Sequence, residues 1–249
     1  MSSHESRFTG KVTLITGAAS GIGRATAHKL ASQGSLLALQ DINEAGLQET
    51  NNLCGGKHYT ETFSVADPAK CTTFVQNTLR TLHRIDHVFN CAGVNPTAYA
   101  LTETTDAYFS TLVDTNLKGT YNLTRAVVPH LGQGSSIVNV SSTMGISVAA
   151  QYAIYCATKW AIVGFTKAMA LELGGQGVRV NAVAPGYIDT PTNAGVLAGS
   201  EAVEEQVGRV ALGRMGTAEE VADVVAFLFS EEARYMSGSI VEITGGRKT

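Results

Sequence analysis

Apolar positions along the chain follow two different spacings, and the two alternate. Short runs rich in aliphatic and β-branched residues cover positions 11–16, 35–41, 58–65, 85–90, 136–141, 179–185 and 239–244. Between them, apolar residues recur every three or four positions, which predicts helices over 21–33, 44–53, 68–83, 104–131, 152–174 and 217–230. Several strand runs are apolar almost without interruption, as in Val12-Thr13-Leu14-Ile15 and Leu36-Leu37-Ala38-Leu39. A strand with one wet face alternates, whereas a near-continuous apolar strand is buried on both faces, as in a parallel sheet covered by helices. Strand–helix–strand units joined by right-handed crossovers then predict an α/β fold: a doubly wound parallel β-sheet with helices on both faces, in a single domain over 1–249. The stretch 190–212 is small, polar and without a clear period, so it reads as a loop carrying short helices.

The first strand runs into Thr16-Gly17-Ala18-Ala19-Ser20-Gly21-Ile22-Gly23, and a helix follows at once. Glycines in such a turn let backbone approach a pyrophosphate, and the helix N-terminus supplies unpaired N–H groups and partial positive charge. The bland alternative is a structural turn with Ser20 as the helix cap. Asp41, at the end of the next apolar strand, stands where a carboxylate accepts hydrogen bonds from an adenosine ribose, and this context favours a Rossmann-like dinucleotide site. A 2′-phosphate beside Asp41 would be repelled, no Arg or Lys follows Asp41, and the nearest cation, Arg24, is free to point elsewhere. These residues favour NAD(H), with NADP(H) left open.

Tyr155 and Lys159 are four apart within a predicted helix and so share a face. A phenol titrates near pH 10, and a nearby ammonium together with an oxidised nicotinamide favours phenolate and brings it into working range. Such a pair also arises by chance on ordinary helices. It gains weight from the strand Ser136-Ile137-Val138-Asn139-Val140, which ends at Ser141-Ser142, on the sheet edge where α/β folds bind ligands. Ser142 is the candidate to hold a substrate oxygen against the phenol, and Ser141 competes for that role.

Composition narrows the classes. With 18 basic and 21 acidic residues and a net charge of -3, the chain carries no electrostatic footprint for nucleic acid or an anionic membrane. Its longest apolar run, 221–229, is interrupted by Asp223 and falls short of the ~20 residues a bilayer span needs. Residues 1–7 are polar, without the apolar core of a signal peptide, so a cytoplasmic protein is expected, with an organelle lumen left open. Cys54, Cys71, Cys91 and Cys156 are scattered without metal-ligand spacing and read as buried apolar residues in a reducing compartment, with no metal site. Gly makes up 26 of 249 residues, an excess that the turns partly absorb.

Taken together, these motifs resemble the short-chain dehydrogenase/reductase family from Lys11 to Gly246. Thr16–Gly23 is similar to the family's TGxxxGxG cofactor turn, and Asn90-Cys91-Ala92-Gly93 to its NNAG motif, with Cys91 in place of the second Asn. The resemblance implies that Asn90 steadies the central sheet near the adenosine, with Ala92 and Gly93 beside the cofactor. It makes Asn116 the residue that holds a water in a proton relay, and Ser142, Tyr155 and Lys159 the catalytic trio, with Lys159 also reaching the nicotinamide ribose. Pro185-Gly186-Tyr187-Ile188-Asp189-Thr190 is similar to the segment that grips the nicotinamide carboxamide, through the Ile188 backbone and the Thr190 hydroxyl. Ser64, followed by Val65, stands where the family often has an Asp for the adenine amine. Asp67 is an alternative through a shifted loop, although before Pro68 it reads better as a helix cap.

The implied reaction interconverts a secondary alcohol and a ketone by hydride transfer with NAD(H). The alternatives are a redox-neutral enzyme on the same fold (dehydratase, epimerase or cyclase), an NAD-sensing binding protein, and a 3-oxoacyl-thioester reductase, which Asp41 and the net charge disfavour. Specificity is expected in the segments 94–100, 143–154 and 187–212, the last being the substrate-binding loop. Met144, Ile146, Val148, Tyr152, Tyr187, Val196 and Leu197 there suggest an apolar or mixed small-molecule alcohol or ketone, or equally a lid packed on the protein itself. By the family's habit, helices 104–131 and 152–174 and the last strand would build a homotetramer.

Overall fold

In the computed structural model, residues 7–194 and 200–246 are described; Val196 and Leu197 lie outside them. In chain order the elements are β1 (Val12–Thr16), α1 (Gly21–Ser32), β2 (Leu36–Asp41), α2 (Glu44–Leu53), β3 (Tyr59–Thr62), α3 (Pro68–Leu82) and β4 (His87–Asn90). Then come α4 (Asp106–Val113), α5 (Gly119–Val127), β5 (Ser136–Val140), α6 (Ala153–Gly174), β6 (Arg179–Pro185), β7 (Ile188–Asp189), α7 (Pro191–Ala194), α8 (Ser200–Gly208), β8 (Gly216–Thr217), α9 (Ala218–Phe229) and β9 (Ile240–Ile243).

Seven strands form one parallel sheet in the order β3-β2-β1-β4-β5-β6-β9, while β7 and β8 pair separately. Neighbouring residues of each strand serve opposite cores. Ile15, Leu39, Phe89 and Val138 pack with Leu30 of α1 and Val221 and Val225 of α9, while Leu14, Ala38, Val88 and Ile137 pack with Phe74 of α3, Leu123 of α5 and Leu173 of α6. Both faces being covered explains the near-continuous apolar strands. The chain winds outward from β1 to β3 and then crosses to β4 on the other side of β1. That reversal leaves a crevice beyond the strand C-termini, the place where open α/β sheets bind ligands.

Local chemistry sets the boundaries. Asp67 caps α3 by accepting the Ala69 and Lys70 N–H groups at 2.9 and 3.1 Å, with Pro68 at the first helical position. Thr217 and Glu220 close a reciprocal capping box on α9. Two expectations are corrected. The third strand is shorter than 58–65: His58 Nδ1 instead accepts the Leu37 N–H at 3.2 Å, and Phe63 and Val65 turn into the core. The segment 104–131 is broken by a π-helical turn, Asp114–Lys118, between α4 and α5. A π turn inserts one residue and re-aims the side chains around it; here it buries Asn116.

Candidate active site

The cleft at the switch point has a volume of about 380 Å³, within the range of small-molecule and cofactor sites. One wall is the turn between β1 and α1. Gly17 has φ +69°, and a Cβ there would come within 2.8 Å of the Ala92 backbone. A Cβ on Gly23 would overlap the Gly17 carbonyl. These two glycines are therefore required by close packing of the turn itself as well as by any ligand. Thr16, not singled out from the sequence, ties the turn to the end of β4, its Oγ1 accepting the Cys91 and Ala92 N–H groups at 3.1 and 3.2 Å.

The turn fits a dinucleotide. Ser20 occupies the cap position of α1 but its side chain makes no capping bond, so the first-turn N–H groups face the cleft without a side-chain partner. A Cβ on Gly21 would lie 3.4 Å from the Thr190 side chain, filling the gap between turn and opposite wall. Asp41 lines the cleft while its Oδ2 accepts the Ala19 N–H at 2.9 Å and its Oδ1 the Asn43 N–H at 3.0 Å. Arg24 points elsewhere, donating to the Ala19 and Gly46 carbonyls, Thr50 and Glu49. Ile22, Ser64, Val65, Ala92, Gly93, Pro185, Gly186 and Ile188 also line the cleft.

The facing wall carries the polar trio. Tyr155 and Lys159, one turn apart on α6, are buried, with Lys159 Nζ 5.6 Å from the Tyr155 ring centre and 3.0 Å from the Val140 carbonyl to which it donates. Ser142 hydrogen-bonds with Tyr155 and accepts the Met144 N–H at 3.1 Å. Ser141 Oγ instead donates to the Lys159 carbonyl at 3.0 Å and is buried, so the adjacent serines divide into one at the phenol and one that anchors α6. Burial pushes the Tyr155 phenol up to about 12, partly offset by the bond with Ser142, and pushes the Lys159 ammonium down to about 8. Burial is the largest influence on both groups and acts on them in opposite directions, because it disfavours the phenolate and the ammonium alike.

Two predicted site residues do not line the cleft. Asn90 is 3% exposed and donates to Thr124 Oγ1 at 3.1 Å and Asn139 Oδ1 at 2.8 Å; Asn139 in turn donates to Thr166 Oγ1 at 2.9 Å. Asn90 thus belongs to a buried polar chain that ties β4 and β5 to α5 and α6, the sheet-steadying role the motif implies. Asn116 is 2% exposed, and its amide brackets Val94, accepting its N–H at 2.8 Å and donating to its carbonyl at 3.0 Å. This side chain fixes the loop after β4 rather than facing the cleft.

At the substrate end the expected Met144, Tyr152 and Tyr187 line the cleft, whereas Ile146 and Val148 do not; Val148 is 70% exposed. Asn95 and Asn193, not foreseen, line it too and are hydrogen-bonded to each other across 98 residues. No local pattern announces such a pair. Among the described residues, no group of His, Cys, Asp and Glu could hold a metal ion, and no helix is long and apolar enough to cross a membrane.

A parallel sheet with its cleft at the switch point and a glycine turn on one wall is the architecture of dinucleotide-binding enzymes. Its relatives place the chain within that class. A family model described as Enoyl-(Acyl carrier protein) reductase matches residues 17–248. A 3-oxoacyl-(acyl-carrier-protein) reductase of Thermotoga maritima is 39% identical, covering 96% of this chain and 98% of its own. The crystal structure of levodione reductase superposes with a TM-score of 0.92 at 36% identity, covering 96% of this chain and 98% of that one. A short-chain dehydrogenase from Burkholderia cenocepacia in complex with NADP superposes at 0.90 with 31% identity, covering 96% and 98%. The chain belongs to the short-chain dehydrogenase/reductase family of oxidoreductases.

Proposed function

We propose that this protein interconverts a secondary alcohol and a ketone with NAD(H). The observation that carries this is the convergence of Ser142, Tyr155 and Lys159 on one wall of a cleft whose other wall is an open helix N-terminus. Bound nicotinamide supplies the hydride acceptor or donor. Ser142 holds the substrate oxygen by hydrogen bond, and Tyr155 passes the proton to or from that oxygen. Lys159, donating to the Val140 carbonyl, keeps a cation beside the phenol. With the phenol near 12, the chain alone stores the proton on Tyr155, and the positive charge of an oxidised nicotinamide favours its release. Asn116 serves this wall by holding the Val94 loop, with a relay water as its further role.

Asp41 supports NAD(H) over NADP(H), because no cation on the described wall offsets its charge. In this reading Thr190 and Ile188 hold the carboxamide, Ser64 and Val65 the adenine, and the segment 187–212 the substrate; in support, the four named residues line the cleft. A second reading, a 3-oxoacyl-thioester reductase, has in its favour the name of the Thermotoga relative. Four unpaired cysteines suit a reducing cytoplasm. Exposed Phe109 on α4 and Trp160 on α6 suit helix pairing in a homotetramer. The test monitors NADH and NADPH side by side at 340 nm over neutral ketones and a 3-oxoacyl thioester. Faster turnover with NADPH would overturn the cofactor assignment.

A further inference from the structure

We propose that the substrate end of this cleft is built for an uncharged ketone or alcohol carrying a second oxygen function, which the paired amides of Asn95 and Asn193 recognise. The inference rests on the redox reading above and names the substrate class of the same site. Among the described lining residues, Asp41 and Lys159 are the only side chains that carry charge; Asp41 stands on the adenosine wall and Lys159 is committed to Val140. The arginines flanking the cleft segment are neutralised, Arg209 by Glu205 and Arg214 by Glu220. Among the described lining residues, no free cation meets the phosphates of an acyl thioester carrier.

What the cleft does offer is neutral hydrogen-bonding capacity. Asn95 Nδ2 donates to Asn193 Oδ1, and Asn193 Nδ2 donates to the Ile188 carbonyl at 2.6 Å. Asn95 Oδ1 has no partner among the described residues, so it stands as an acceptor for a hydroxyl. The second proton on each amide remains for a carbonyl. The pair is placed by the catalytic wall itself. Asn95 follows Val94, which Asn116 brackets, and a Cβ on Gly93, two residues earlier, would lie 3.8 Å from Lys159 Nζ. Asn95, Asn193 and Tyr155 line one and the same cleft, so a substrate that fills its substrate end faces both the phenol and the amides. In the step itself the reacting ketone carbon gains a hydride from NADH and its oxygen gains a proton from Tyr155. The second oxygen is unchanged.

The test compares 1,4-cyclohexanedione, cyclohexanone and acetoacetyl-coenzyme A as oxidants of NADH. The expected kcat/KM for the dione exceeds that for cyclohexanone by about tenfold or more, the value of one or two hydrogen bonds, mainly through KM. Asn95→Leu is expected to shrink that ratio several-fold. Calorimetry on the NADH-loaded protein should find 1,4-cyclohexanediol bound more tightly than cyclohexanol, independently of turnover. Equal kcat/KM for dione and cyclohexanone, an unchanged ratio in Asn95→Leu, or a preference for the thioester would each overturn the substrate class. In those cases NADH oxidation itself still proceeds. No oxidation with any of the three would instead defeat the redox reading, and the substrate class with it.

Discussion

Asp41→Ser is the sharpest perturbation of the cofactor end. The carboxylate lines the cleft and is oriented by the Ala19 and Asn43 N–H groups at 2.9 and 3.0 Å. A ribose 2′-phosphate about 4 Å away would meet ~4 kcal/mol of repulsion per pair of unit charges at an effective dielectric of ~20. Partial exposure roughly halves this, leaving ~2 kcal/mol, or about 30-fold in affinity. The same carboxylate offers a charge-assisted acceptor to the 2′-hydroxyl of NADH, whose loss costs ~1.5 kcal/mol, about tenfold. In Asp41→Ser the NADPH dissociation constant should therefore fall about 30-fold while that of NADH rises about tenfold. Together these move the selectivity ratio by more than two orders of magnitude. Titration of nicotinamide fluorescence measures both constants, and a thermal melt separates them from the loss of the two backbone contacts. Tighter NADPH than NADH binding by the unaltered protein, or an unmoved ratio in the variant, would refute the reasoning.

Asn139→Leu takes one of the two acceptors from the Asn90 amide, which keeps Thr124, and removes the donor to the Thr166 hydroxyl, a loss of ~2–4 kcal/mol in the core. At ~2–4 °C per kcal/mol the midpoint of thermal unfolding should fall by about 5–15 °C. His87 is buried between Phe8 and Phe229 with its Nδ1 unpartnered, and burial pushes it down to about 3. The unfolded chain takes up that proton as pH falls through 6.5, the ordinary value, whereas the folded chain refuses it until about 3. This single group therefore withdraws up to ~5 kcal/mol of stability across that window, and His87→Leu should flatten urea-unfolding stability between those limits. Ser142→Ala should lower kcat by about 100-fold or more, since it removes a donor to the reacting oxygen. Ser141→Ala, which loses only the bond to the Lys159 carbonyl, should cost ~1 kcal/mol of stability and leave kcat within a few-fold.

What the sequence made legible follows the range of the interactions involved. Alternating periods reveal the parallel sheet because each strand reports its own burial on both faces, and the glycine turn, Asp41 and the Tyr155–Lys159 spacing are local patterns. Four things were not legible. The π turn at Asp114–Lys118 leaves the apolar spacing of 104–131 almost intact, so a single helix was the natural expectation. Asn90 has a motif that implies a sheet-steadying role, but its partners, Asn139 and Thr124, are 49 and 34 residues away and no local pattern names them. The Asn95–Asn193 pair joins two loops whose composition carries no period at all. The protonation states were hidden for a related reason: spacing places an ammonium beside a phenol, but the burial that dominates both comes from the whole fold.

The central claim is that the Tyr155 phenol is the proton carrier for hydride transfer at this cleft. The most direct measurement is NADH oxidation at 340 nm with a neutral ketone by the unaltered protein and by Tyr155→Phe, paired with NADH dissociation constants for both. In Tyr155→Phe, kcat should fall by about 1,000-fold or more, in line with loss of general acid catalysis, while NADH affinity stays within a few-fold. Turnover by Tyr155→Phe within tenfold of the unaltered protein would contradict the claim.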